Sequence, residues 1–145
     1  MSRISKLLVI CGCFVASSTV LIAWLIWSMP DLCGNDIGKE VLSPDGKLKA
    51  VVFERDCGAT TDFSTQISLI KASQPLPHGS SGNVFAADSD HGNVGVDVKG
   101  ILPIDLSWDD NNKLLIRYPA RARVFSEVRQ YKGVQLRYVA DGSLK

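Results

Sequence analysis

Two hydrophobic patterns divide the chain. From Leu7 to Trp27 there are 21 consecutive residues without a charge, most of them apolar. At about 1.5 Å per residue, such a run matches the roughly 30 Å hydrocarbon core of a bilayer when it is helical. Beyond Pro30 the pattern becomes alternation. Leu48, Ala50 and Val52 alternate with Lys49, Val51, Phe53 and Arg55, and Ile67 and Leu69 with Gln66, Ser68 and Ile70. Val94, Val96 and Val98 alternate with Gly95, Asp97 and Lys99, and Ile104, Leu106 and Trp108 with Asp105 and Ser107. Leu114, Ile116 and Tyr118 alternate with Leu115 and Arg117, and Val134, Leu136 and Tyr138 with Gln135 and Arg137. A period of two with one apolar face predicts half-buried strands.

Turn chemistry separates these strands. Ser43-Pro44-Asp45-Gly46 presets φ at the proline and accepts positive φ at the glycine. Asp109-Asp110-Asn111-Asn112 is a second turn, and residues 79–82 and 88–93 are loop-like. The two turns echo one another, each leading into an amphipathic strand. No segment after Pro30 carries a convincing helical stripe; the closest, residues 122–130, reads at least as well as a strand, with Val124 and Val128 against Phe125 and Glu127. The expected architecture is an N-terminal transmembrane helix over residues 1–30 followed by an all-β domain over residues 31–145. That domain is a small antiparallel sheet or sandwich of a size suited to one core.

Flanking charge orients the anchor. Arg3 and Lys6 precede the apolar run, while Asp31, Asp36, Lys39 and Glu40 follow it without a cationic excess. Positive charge stays on the cytoplasmic side, so residues 31–145 are expected outside. Trp24 and Trp27 fall at the outer interface, and Pro30 suits the helix end. A cleaved signal peptide is disfavoured because no Ala-x-Ala pattern precedes Pro30. Lipidation at Cys13 is disfavoured because only four apolar residues separate Lys6 from Cys11. Cys11 and Cys13 then read as small packing residues within the span.

Charge is near balance overall, at +1, which speaks against nucleic-acid binding. It is unevenly spread. Residues 31–112 carry 6 Lys and Arg against 13 Asp and Glu, and residues 113–145 carry 8 against 2. One reading is that acidic and basic strands pair across their solvent faces. The other is a basic patch of Arg117, Arg121, Arg123, Arg129, Lys132 and Arg137 facing anionic lipid heads or an acidic partner. Alternation with apolar residues favours the first, and Arg117, Arg121 and Arg123 remain as binding candidates.

Cys33 and Cys57 lie beyond the span, and an isolated pair in an oxidising compartment is expected to form a disulfide. The competing reading is a thiol nucleophile at Cys57 using His78 or His91, both in Gly- and Ser-rich stretches that fix no geometry. Asp88-Ser89-Asp90-His91-Gly92-Asn93 spaces its carboxylates as some Ca²⁺ loops do, but lacks the later bidentate Glu; Asp109 and Asp110 resemble it less. No phosphate-cradling Gly loop, metal-spaced His set or Gly-x-Ser-x-Gly elbow occurs. The expectation is no catalysis, no metal and no cofactor.

Cys33-Gly34-Asn35, Ser43-Pro44-Asp45-Gly46-Lys47 and the stretch Arg55-Asp56-Cys57-Gly58-Ala59-Thr60-Thr61 belong together in one further respect. Over residues 33–70 they resemble an uncharacterised domain family of short exported bacterial proteins, with an Arg-x-Cys-Gly-Ala-Thr-Thr core after a Ser-Pro-Asp-Gly turn. The resemblance implies a bacterial envelope protein, supports pairing Cys33 with Cys57, and carries no reaction. Read physically, Arg55, Gly58, Thr60 and Thr61 are either a polar turn closing a hairpin, the preferred reading, or a concave site for an anion or peptide end. The functional expectation is a binding module in the envelope, single-pass in the cytoplasmic membrane through residues 7–27, with an envelope protein or polymer as partner. The alternatives are a thiol-dependent hydrolase built on Cys57 and an immunity or inhibitor protein against an envelope-acting toxin.

Overall fold

The computed structural model describes residues 18–25, 33–58 and 63–144. The chain divides into two compact units, one ending at Leu32 and the other beginning at Cys33. In the first, residues 18–25 are helical and expose Val20, Leu21, Ile22, Trp24 and Leu25. Among the described residues no helix is long and apolar enough to cross a membrane. The remainder of the expected span, residues 7–17 and 26–27, lies outside the described residues.

The second unit is all-β. Its strands are β1 (Gly34–Leu42), β2 (Leu48–Asp56), β3 (Ser64–Lys71), β4 (Phe85–Asp88), β5 (Asp105–Asp110), β6 (Lys113–Pro119), β7 (Arg123–Glu127), β8 (Gln130–Tyr131) and β9 (Val134–Asp141). They form a five-stranded sheet, sheet A, in the order β1-β2-β3-β4-β7, and a four-stranded sheet, sheet B, in the order β5-β6-β9-β8. Ala50, Val52, Ile67, Leu69, Phe85 and Ala87 of sheet A meet Leu106, Leu114, Ile116, Val134 and Leu136 of sheet B in one buried core. That makes the domain a sandwich.

Sheet A is antiparallel throughout, but β6 and β9 run parallel. The cause lies in the connection. After Pro119 the chain leaves sheet B, pairs with β4 as β7, and returns through β8. It therefore re-enters beside β6 in the same direction, the excursion supplying the long crossover that parallel neighbours need in place of a tight hairpin. Tyr138 on β9 fastens this crossing: its hydroxyl lies 2.7 Å from the Val84 carbonyl oxygen and 2.9 Å from that of Val128. Burial pushes the Tyr138 phenol far above its ordinary range. Phe85 packs between Tyr118 and Tyr138, at centroid distances of 5.2 and 5.8 Å.

β2 is buried on both faces. Ala50 and Val52 face the main core, while Val51 and Phe53 join Ile70 and Leu76 in a second cluster. Residues 72–84 supply the cover on that side. Asn83 holds them down by standing in for a strand partner, accepting from the Leu69 amide at 2.8 Å and donating to the Leu69 carbonyl at 3.2 Å. Gly82 lies so close to β3 that a Cβ would sit 2.9 Å from the Gln66 side chain and 2.9 Å from the Phe85 carbonyl oxygen.

The β1–β2 hairpin is closed at both ends. At the turn, Gly46 adopts φ +68°, its amide donates to the Ser43 carbonyl at 2.9 Å, and the buried Ser43 hydroxyl bonds Asp45 and Leu48. This turn touches its echo: the Asp45 amide donates to Asn111 Oδ1 at 2.9 Å. At the open end Gly34 pairs with Asp56, and immediately beyond them Cys33 and Cys57 are joined, with an S–S distance of 2.04 Å.

The segment expected as a strand at residues 94–98 is instead a loop. Val94 is buried, Val96 is 47% exposed and Val98 fully exposed, so the three valines share no face. The Asp97 carboxylate accepts from the amides of Lys99 and Ile101 at 2.8 and 2.9 Å, and that local turn outcompetes the ladder.

Replacing Cys33 and Cys57 together by Ser removes a constraint on a 24-residue separation. In the chain-entropy account this costs about 3 kcal/mol. Urea unfolding is expected to shift to a lower midpoint in the double variant while the hairpin register is retained; an unchanged midpoint would contradict the proposed clip.

Candidate functional site

β1 is the polar, largely exposed edge of sheet A. Its ladder slips between Ile37 and Lys39, so Gly38 forms a bulge. The missing side chain matters there: a Cβ on Gly38 would sit 2.5 Å from Ile101 Cδ1. Ile101 thus reaches toward β1 through space that glycine leaves open.

The loop carrying Ile101 is fixed at several points. The Leu102 amide donates to the buried Thr65 hydroxyl at 2.8 Å. Lys39 Nζ donates to the Ile104 carbonyl. Lys99 Nζ reaches the Asp36 carboxylate and the Ile37 carbonyl, each at 2.8 Å. At the loop tip Gly100 has φ +78° and its amide closes on the Asp97 carbonyl at 3.0 Å. Between this loop and β1 lies a cleft of about 550 Å³. Val52 and Ile101 are among its apolar lining, Val96, Val98 and Pro103 join them, and Lys39, Asp97 and Lys99 are its charged members.

Electrostatics along this edge are uneven. Asp36 and Glu54 are directly opposed in the β1–β2 ladder. Burial first, and then the charges of Asp56, Asp36 and Asp97, push the Glu54 carboxyl above its ordinary range. Lys99 offsets the repulsion through Asp36. Among the described residues neither a histidine nor a thiol lines the cleft. Its ammonium groups are committed to backbone and carboxylate partners, so the arrangement is suited to binding an apolar chain beside an exposed strand.

The residues singled out from sequence fall elsewhere. Arg55, near the end of β2, donates to the Gly79 carbonyl and lies 3.4 Å from Asn35 Oδ1, while Asn35 Nδ2 donates to the Ser80 carbonyl at 2.9 Å. Together they pin the covering segment to the hairpin. Gly58 adopts φ +96°, and its amide donates to the Asp56 carboxylate at 2.8 Å. Thr60 and Thr61 lie outside the described residues. Cys57 is bonded to Cys33, which leaves the thiol-hydrolase reading without its thiol.

The three candidate arginines do not share one set of partners. Arg117 on β6 faces Asp105 across the ladder and lies 3.7 Å from Asp141. Arg121, in the turn before β7, lines a smaller cavity of about 320 Å³ with Asn93, Pro119 and Leu144. Arg123 on β7 pairs in the ladder with Asp88 and grips both carboxylate oxygens, with Nε to Oδ1 at 3.2 Å. His91 Nε2 sits 3.2 Å from Arg123 Nη1. The acidic loop at residues 88–93 closes on Arg123 and on itself: the Asp90 amide donates to Asp88, and Asn93 Nδ2 to Asp90, each at 2.9 Å. Asp90, His91 and Gly92 are three successive left-handed residues that these bonds hold in place. Among the described residues no group of three or more His, Cys, Asp or Glu could hold a metal ion.

No protein-family profile, curated protein or solved structure matches the chain.

Asp88 is 3% exposed. Burial alone would raise its carboxyl, but the hydrogen bonds from Arg123 and the Asp90 amide, with the charges of Arg123 and His91, hold it below the ordinary range. A lowered carboxyl stabilises the fold above its unfolded value, and that stability is lost as pH falls through the folded value. Arg123→Ala is expected to cost about 2 kcal/mol near neutral pH, because it strands a buried carboxylate. The cost shrinks as pH falls below the ordinary 3.8 of the group, where protonation silences the pair. Urea unfolding on both sides of that value checks this, and an equal penalty at both contradicts it.

Proposed function

We propose that the protein is a membrane-tethered, non-catalytic binding module of the bacterial envelope. Its β domain lies outside the cytoplasm and takes an extended apolar segment of a partner protein into the cleft beside β1. The observation that carries this reading is the cleft itself: about 550 Å³, mixed in its lining with apolar residues in the majority, open at an edge strand, with Val96 47% exposed and Val98 fully exposed. Its volume falls within the range of ligand sites. An exposed edge next to apolar walls is also the layout by which extended peptides are recognised, with backbone bonds for affinity and side-chain pockets for specificity. Lys99 covers the Ile37 carbonyl of that edge, as charged side chains do where a sheet must not pair at random.

The tether rests on the uncharged run of residues 7–27 and its flanking Arg3 and Lys6. The exposed apolar side chains of residues 18–25 suit a lipid surrounding. The Cys33–Cys57 bond suits an oxidising compartment. The resemblance to short exported bacterial proteins points the same way.

A photo-crosslinking residue placed at Val98 of the full chain, in its native membrane, tests the binding site. A defined crosslinked band is expected from Val98 and not from the exposed Lys71 at the end of β3. The band is lost when Val96→Asp is added, while thermal unfolding stays unchanged. Equal capture from both positions, or capture indifferent to Val96, contradicts the reading.

A further inference from the structure

Sheet B carries a second concavity, which runs across its strand order from β5 to β8. A groove of about 420 Å³ crosses all four strands, taking Asp109 from β5, Lys113 from β6, Gln135 and Arg137 from β9, and Arg129 and Gln130 from the β8 side. The parallel pairing of β6 and β9 assembles it. Because both strands start at the same end, Lys113 lies opposite Gln135, and Gln135 lies opposite Gln130. Those three form one row across three strands. Arg137 is two residues further along β9, opposite Leu115. The Leu136 amide donates to the Arg129 carbonyl at 2.9 Å, which fixes the backbone on the far side.

The charges here differ from those elsewhere in the domain. Arg55 is spent on a backbone carbonyl, Arg117 on Asp141 and Arg123 on Asp88. Lys113 reaches Asp110 at 3.2 Å. Arg129 and Arg137 make neither an ion pair nor a side-chain hydrogen bond among the described residues, and both line the same groove. Two guanidinium forks flanked by two carboxamides form a donor-rich surface for a tetrahedral oxyanion, which offers several acceptors in a compact volume. Asp109, the one carboxylate lining the groove among the described residues, repels a second negative charge.

We propose that this groove binds a singly charged phosphodiester. Arg129 and Arg137 hold its non-bridging oxygens, and Gln130 and Gln135 donate from the sides. The same chemistry is offered by a phospholipid headgroup and by a soluble diester. This site is separate from the cleft beside β1 and stands whether or not that cleft binds a peptide.

The test uses the full chain in phosphate-free maltoside micelles and reads the arginine Nε–Hε NMR signals. One arm titrates soluble glycerophosphoglycerol into these micelles. The other adds phosphatidylglycerol to them. Saturable shifts of Arg129 and Arg137 together, with Arg121 unmoved, are expected in at least one arm. A response in the first arm assigns a soluble ligand, and a response confined to the second assigns the headgroup. Arg129→Gln with Arg137→Gln weakens binding by about tenfold or more, since charge-assisted bonds to phosphate are lost. The charge-preserving Arg129→Lys and Arg137→Lys each weaken it severalfold by removing the fork, and Asp109→Asn strengthens it. The proposal is overturned by an absence of shifts in both arms, by shifts spread equally over all arginines, or by lysine variants that bind as well as the parent chain.

Discussion

The domain is organised around one strand that is buried on both sides. Residues 50–53 of β2 are four in succession at 0 or 1% exposure. Alternation sends Ala50 and Val52 into the sandwich and Val51 and Phe53 into the smaller cluster beneath residues 72–84. Burying side chains such as Val and Phe stabilises a fold by about 1.5–3 kcal/mol each, so neither face of β2 can be uncovered cheaply. Everything that positions the candidate site follows from this. β1 pairs with one edge of β2 and is left as the outer strand. Val52, fixed in the core, lines the cleft that opens beside β1. The covering segment is held by Asn83, Gln66, Asn35 and Arg55, all of which bond backbone groups that the sheet itself leaves unpaired.

The two sheets are held together by more than aliphatic packing. Phe85 stands between the rings of Tyr118 and Tyr138. The Tyr138 hydroxyl lies between the carbonyls of Val84 and Val128, and the Val128 amide donates to the same Val84 carbonyl at 2.9 Å. This knot sits where the chain passes from sheet B to sheet A and back. It orders the return of β9 alongside β6, and that parallel pairing is what sets the arginine-lined groove across one end of sheet B. Packing, topology and surface chemistry are thus linked through a single crossing.

Much of the fold was legible in the alternation. β2, β3, β5, β6 and β9 all coincide with segments whose apolar residues recur every second position, while β7 falls within residues 122–130, whose pattern is weaker. The Ser43-Pro44-Asp45-Gly46 turn and the Cys33–Cys57 bond were legible from turn chemistry and from the isolation of two cysteines. β1 was not, because an edge strand with both faces near solvent keeps Asn35, Asp36, Lys39 and Glu40 and shows no period. β4 was not, because Phe-Ala-Ala-Asp is too short to establish one. Residues 94–98 misled for the opposite reason: the period of two is present, but Asp97 and Gly100 turn the chain within it. The Asp97-Val98-Lys99-Gly100 spacing was the signal that could have revealed the loop. The site was less visible still. It depends on Gly38 lying beside Ile101, and on Lys39 and Lys99 meeting carbonyls far away in sequence, and no single segment records such relations.

The β domain joins a doubly buried central strand to an exposed edge, and native-state hydrogen exchange of the full chain tests that division most directly. Amides of β2 and β3 are expected to exchange only through global unfolding. Those of β1 around the Gly38 bulge and of residues 95–101 are expected to exchange faster, through local opening that leaves the sandwich intact. If β1 and the loop prove as protected as β2, or if β2 opens below the global limit, the central claim is contradicted.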